Sequence, residues 1–118
     1  MDVRLWDAGT GQVSLRPVGE VDLATADALD AALADALGRP GVTEVVVDLT
    51  DVGFLDSSGI RVLVGAAAAA RRADATLRVV DPQPVVARVL RITGVGGLLG
   101  LAPDGSPAAP ARGFRGLD

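Results

Sequence analysis

Apolar and polar residues alternate through VRLW (3–6) and again through VSLR (13–16), with the turn-rich DAGTGQ between them. Period-two alternation interrupted by Gly and Asp is the pattern of a β-hairpin with one face buried. Pro17 has no N–H to give to a ladder, so the middle of the second strand is expected at a sheet edge or a bulge. GEVD follows, and from Thr25 the period lengthens. Leu29, Leu33 and Leu37 recur every four residues with Ala32 and Ala36 beside them, while Asp30 and Asp35 fall off the stripe. This spacing predicts an amphipathic helix. Thr25 is its expected N-cap, Asp27 complements the dipole in the first turn, and Gly38 and Pro40 supply the stop.

TEVVVDL (43–49) is a β-branched apolar run of strand length, the kind found at the centre of a sheet. TDVGFLD reads as a connection. Beyond it Ile60, Leu63, Val64 and Ala67 share one helical face, Gly65 and Ala66 to Ala70 suit tight helix packing, and Arg71 and Arg72 close the C-terminal end. TLRVVD (76–81) is a further strand. Pro82 and Pro84 lead into VVARVLRI, whose apolar face comprises Val85, Val86, Val89, Leu90 and Ile92. GVGGLLGL leaves room for a short final strand. The order β-β-α-β-α-β-α predicts an α/β domain over residues 1–102, with parallel pairing made mixed by the N-terminal hairpin. Residues 103–118, rich in Pro, Gly and Ala, read as a flexible tail.

Composition removes most catalytic designs. The chain has no Cys, no His and no Lys. Cys/His zinc sites, cysteine nucleophiles, Ser-His triads, Ser-Lys dyads, Schiff bases and the P-loop lysine are therefore excluded. A carboxylate-only magnesium site is the one metal chemistry left open, and neither a metal nor a cofactor is expected. All 11 basic residues are arginines scattered along a chain of net charge -4, with one Trp and two Phe. That argues against direct nucleic-acid binding. MDVRLWDAG has neither a basic n-region nor an apolar h-region, and VLVGAAAAA is too short to span a bilayer, so the expected compartment is the cytoplasm without membrane insertion.

One stretch carries candidate chemistry: FLDSSGIRVL (54–63), where an apolar strand region gives way to a helical pattern. Its DSSG is readable as a helix cap, because Asp or Ser before an apolar-periodic segment satisfies an orphan N–H. Reading it as a nucleophile turn fails, since G-x-S-x-G is absent and no His or Lys is available to activate an oxygen. The third reading is a serine modified by a partner kinase. A phosphate in the first turn of a helix is held by free N–H groups and the dipole, and it adds about -1.5 to -2 charges. With Asp56 adjoining and Asp48 and Asp51 nearby, that charge would repel an acidic partner surface.

GEVDLATADAL (19–29), VVVDLTDVGFLDSSGIRVLVGA (45–66) and VVARVLRITGV (85–95) together resemble the anti-sigma-factor antagonists with a STAS domain, over roughly residues 10–97. The pattern is a G-E-[LV]-D segment, an apolar strand ending D-L-[ST], and a D-S-S-G turn that opens a helix. The resemblance implies a small cytoplasmic α/β domain with a mixed sheet covered by helices. It implies a non-enzymatic switch: the unmodified form binds an anti-sigma factor that is itself a serine kinase, and so frees a sigma factor. The kinase phosphorylates Ser57 and a serine phosphatase restores binding. Asp56 and Ser58 shape the loop in front of Gly59, and Asp22 and Asp48 are the acidic residues near the site. Plainer roles stand beside these: Asp22 and Asp48 as turn or strand-end caps, Gly59 as a close-packing residue, Ser58 as the competing modified residue. Family members usually end with a further amphipathic helix, a periodicity that PDGSPAAPARGFRGLD lacks.

Other roles remain. The same domain type serves as a scaffold subunit in stress-signalling assemblies and as a soluble component of membrane transport systems. A receiver domain or carboxylate phosphatase built on Asp48 is disfavoured by the missing lysine and the missing acid pair after the first strand. Monomer and homodimer are both open.

Overall fold

The expected hairpin forms. In the computed structural model, which describes residues 1–101, β1 (Asp2–Asp7) and β2 (Gln12–Val21) pair antiparallel, with Trp6 opposite Ser14 and Val3 opposite Pro17. Then come α1 (Ala26–Leu37), β3 (Glu44–Asp48), β4 (Val52–Leu55), α2 (Ser57–Arg72), β5 (Thr76–Val80), α3 (Pro84–Ile92) and a 3-10 turn at Gly96–Leu99. The sheet runs β1-β2-β3-β5, and β4 pairs with the C-terminal end of β2. The β2–β3, β3–β5 and β2–β4 pairings are parallel. This is the mixed α/β sheet anticipated from the order of elements. The proposed tail at 103–118 lies outside the described residues.

Alternation separates the two sheet faces. Val13 and Leu15 of β2, Val45 and Val47 of β3, and Leu77 and Val79 of β5 are buried in one core with Leu29, Leu33 and Ala36 of α1, Leu63, Ala66, Ala67 and Ala70 of α2, and Val86 and Leu90 of α3. Each fully buried Leu there contributes about 1.5–3 kcal/mol through apolar burial. α2 contributes mainly alanines, which let α1 approach it closely. Gly65, expected in that packing face, is exposed instead. The other sheet face carries Ser14, Arg16, Glu44, Val46, Asp48, Arg78 and Val80. Arg16 pairs with Asp48 and Arg78 with Glu44 across it, each at 2.9 Å.

Four details depart from the sequence pattern. β2 is not an edge strand, since it lies between β1 and β3. Pro17 is tolerated because it falls after the last β3 pair, Leu15 with Val47, and before the first β4 pair, Gly19 with Val52. The irregularity comes two residues later, between Gly19 and Glu20, where Gly19 takes a φ of +112° that favours glycine. TDVGFLD holds a strand, β4, in which Val52 and Leu55 are buried and Gly53 and Phe54 exposed. GVGGLLGL winds into the 3-10 turn, not a strand, and only Leu101 makes a bridge. On α3, Val85 and Ile92 face outward.

Candidate functional site

The C-terminal ends of β2 and β4 bring two helix starts together. Val21 and Leu55 are registered neighbours, and the Asp56 N–H donates to the Val21 carbonyl at 3.2 Å. Asp22 and Asp56 therefore leave adjacent parallel strands one residue past a shared pair.

At the second start Asp56 is the N-cap of α2 in extended backbone, and its Oδ1 accepts the Ser58 N–H at 2.9 Å. Ser57 is the first helical residue and is exposed; Ser58 is half-buried. The Ser57 hydroxyl makes no hydrogen bond among the described residues, nor do the Ser57 and Gly59 N–H groups. Gly59 is buried because α2 comes down on the strand ends there. A Cβ on it would stand 2.4 Å from Leu55 Cδ1 and 2.5 Å from Val21 Cγ1. Close packing thus accounts for the glycine at position 59, and only its backbone N–H is left over.

The first start is built differently. Thr25 occupies the cap position, as its spacing predicted, but its side chain caps no helix N–H. Its hydroxyl donates to the Glu20 carbonyl at 2.8 Å and accepts the Asp22 N–H at 3.0 Å. Asp22 holds the turn that leads into the helix: its Oδ1 accepts the Ala24 and Thr25 N–H groups at 3.0 and 3.2 Å, and its carbonyl takes the Ala26 N–H at 2.9 Å. Asp22 is the turn residue, and the strand register sets it next to Asp56.

Asp48 stands apart. It lies across from Arg16 on the outer sheet face, six residues up β2 from Asp22, which is roughly 20 Å of extended strand. Its Oδ2 accepts from Arg16 Nη2 and Nε, and its Oδ1 from the Thr50 N–H and hydroxyl. Partial burial alone would raise its pKa, but the Thr50 hydroxyl and N–H and the Arg16 guanidinium together hold it below the ordinary aspartate value. Asp48 is a committed ion-pair partner, lining with Trp6, Ser14, Arg16, Val46 and Val80 an open basin of about 290 Å³. Among the described residues no three acidic side chains gather closely enough to hold a metal ion, and no helix is long and apolar enough to cross a membrane.

Two further residues belong to the site. Leu23, 82 % exposed, follows Asp22, and Phe54, 46 % exposed, is paired with Glu20 and precedes the cap by two residues. Leu23 keeps the odd-numbered parity of the buried Val13, Leu15 and Val21, so alternation alone would assign it to the core, yet it lies past the end of β2 and faces solvent. The strand ends thus present two apolar side chains among Glu20, Asp22 and Asp56, beside an exposed serine. Such a surface, apolar side chains set inside a polar rim, suits docking of a protein partner.

The family model described as MlaB, STAS domain matches residues 6–100. The chain belongs to the STAS-domain family. No curated protein matches it significantly in sequence. Among solved structures, this STAS domain is similar to the unphosphorylated anti-sigma factor antagonist SpoIIAA (TM-score 0.73, 20% identity, 95% of this chain and 91% of that one). It is also similar to the phosphorylated form of the Bacillus cell-fate determinant SpoIIAA (0.66, 20%, 95% and 95%). An anti-sigma factor antagonist from Mycobacterium paratuberculosis is a third (0.70, 24%, 86% and 86%). At these identities the likeness is one of fold.

Proposed function

We propose that the protein is a non-enzymatic binding module, an anti-sigma-factor antagonist of the cytoplasm, switched by phosphorylation of Ser57. The unphosphorylated form binds an anti-sigma factor that is also its serine kinase, and the bound kinase releases a sigma factor. A phosphatase resets the switch. The observation that carries this reading is the exposed Ser57 hydroxyl at the first position of α2, free of hydrogen bonds beside two unbonded N–H groups. A phosphate there would take those donors and the positive helix end, so the fold would accommodate it. The docking surface would not. Two added charges among Glu20, Asp22 and Asp56, with Leu23 and Phe54 alongside, would repel an acidic patch on the kinase and oppose desolvation of the interface.

The test is phosphopeptide mapping of the protein from its native cells, in growth and under stress, followed by capture of its partner with each form. Phosphate on Ser57 with changing occupancy, and a kinase retained by Ser57→Ala but lost on phosphorylation, is the expected result. Phosphate on Ser58 would move the site and keep the mechanism. An unmodified loop in every condition would sink the switch and leave a scaffold or transport-subunit role.

A further inference from the structure

The third helix is apolar on two sides. Val86 and Leu90 face the core, while Val85 and Ile92 are 53 % and 69 % exposed and Val89 is half-buried between them. Residues 85, 89 and 92 follow the i, i+4, i+7 rule, so they form one outward ridge about two turns long. Arg88 and Arg91 flank that ridge, both exposed and in no ion pair among the described residues, and α3 contains no acid. An apolar ridge lined by two cations favours an acidic counterpart over a second α3, whose arginines would meet its own.

That counterpart exists on the same chain. The outward face of α1 carries Ala28, Ala31 and Ala34, all exposed, a stripe of small side chains over which β-branched ones can lie close to the helix. Asp27 and Asp30 border the stripe, exposed and without ion-pair partners among the described residues. The spacing matches: Arg88 and Arg91 are three residues apart on one helix, as Asp27 and Asp30 are on the other. Asp35 is already engaged by Arg39 at 3.1 Å and is not needed.

We propose that the protein associates with a second copy of itself head to tail, the Val85–Val89–Ile92 ridge of α3 seated on the Ala28–Ala31–Ala34 stripe of the neighbour's α1, with Arg88 and Arg91 on Asp27 and Asp30. Ser57 lies in neither face. A contact of two short helices is well below the roughly 1,600 Å² of a standard interface, and the association is weak and strengthened by local concentration. Because the two faces differ, one contact leaves both outer faces unused and the assembly grows past a dimer unless it closes into a ring.

Sedimentation velocity of the purified full chain over a wide concentration range tests this. The weight-average mass is expected to rise above the 11.9 kDa of one chain, and to fall back as salt is added. Arg88→Asp with Arg91→Asp makes both faces acidic; Asp27→Arg with Asp30→Arg makes both basic. Each double variant alone is expected to associate at least about tenfold more weakly. Mixed in equal amounts, they are expected to associate again, because each supplies the face the other has lost. Ile92→Ser weakens association without touching charge. All these positions are exposed, so the core is untouched, and circular dichroism checks that each variant keeps its helices. A wild-type chain that stays at the monomer mass up to millimolar concentration overturns the proposal. So do double variants that associate like wild type, or a mixture that stays monomeric.

Discussion

α1 and α2 begin side by side on neighbouring strand ends, each introduced by an aspartate and a hydroxyl residue, yet the two hydroxyls have opposite fates. Thr25 is tied to the Glu20 carbonyl and the Asp22 N–H, closing the α1 start onto its own strand. Ser57 is tied to nothing and points to solvent. The difference lies in the distance between aspartate and helix. Asp22 sits three residues before Thr25 and spans a turn, so the threonine folds back under it. Asp56 is immediately followed by helix, so its carboxylate caps Ser58 and leaves the serine outside. One start is structural, and the other has a group left over for chemistry by a partner.

The largest consequence is at the third helical position, Ala28 in α1 and Gly59 in α2. Ala28 is exposed, whereas a Cβ on Gly59 would press into Leu55 and the stiff, buried side chain of Val21. Gly59→Ala is expected to destabilise by about 1–3 kcal/mol through overpacking, outweighing the gain in helix propensity. Ala28→Gly should lose only about 1 kcal/mol, the propensity difference alone. Urea unfolding measures both as a shift in midpoint at constant slope. A Gly59→Ala protein as stable as wild type would show that the strand ends give way, and that α2 is no more tightly seated than α1.

The caps come next. Asp22→Ala leaves the Ala24 N–H without its acceptor and the Thr25 N–H with only the backbone carbonyl of residue 22, and Asp56→Ala leaves the Ser58 N–H without its own. The expected costs are about 1–2 kcal/mol for Asp22 and about 1 kcal/mol for Asp56. Thermal unfolding of the two variants ranks them. The reverse order would mean that the second N–H at Asp22 adds nothing.

The same two starts show what a sequence can reveal. Both were legible as cap positions because each stands at a change of period, from alternation to the Leu29–Leu33–Leu37 stripe and from an apolar run to Ile60–Leu63–Ala67. DSSG marked Asp56 and Ser57 for the same local reason, whereas Asp22 was marked only by the resemblance that GEVD helps to carry. β4 was not legible. Its four residues hold a glycine, and their burial runs buried, exposed, exposed, buried, so no alternation betrays a strand. Asp48 misled because its neighbours are set by register: Arg16, 32 residues away, reaches it only once β2 and β3 pair. The outward ridge of α3 escaped because a helix apolar on two sides gives no single stripe to assign to the core.

The hydroxyls themselves give the smallest effect and the most direct comparison. Thr25→Val keeps the shape and removes both hydrogen bonds, leaving the Glu20 carbonyl and the Asp22 N–H to find water at a partly exposed site. The expected loss is about 1 kcal/mol. Ser57→Ala removes a hydroxyl that bonds to nothing in the fold, and should change stability by no more than about 0.5 kcal/mol in either direction. Measured by urea titration under identical conditions, the two variants divide structural from available oxygen. A Ser57→Ala protein that loses as much as Thr25→Val would place the serine hydroxyl among the bonds that hold α2 in position. Phosphorylating it would then disturb the helix start as well as the docking surface, and repulsion alone would no longer explain the switch.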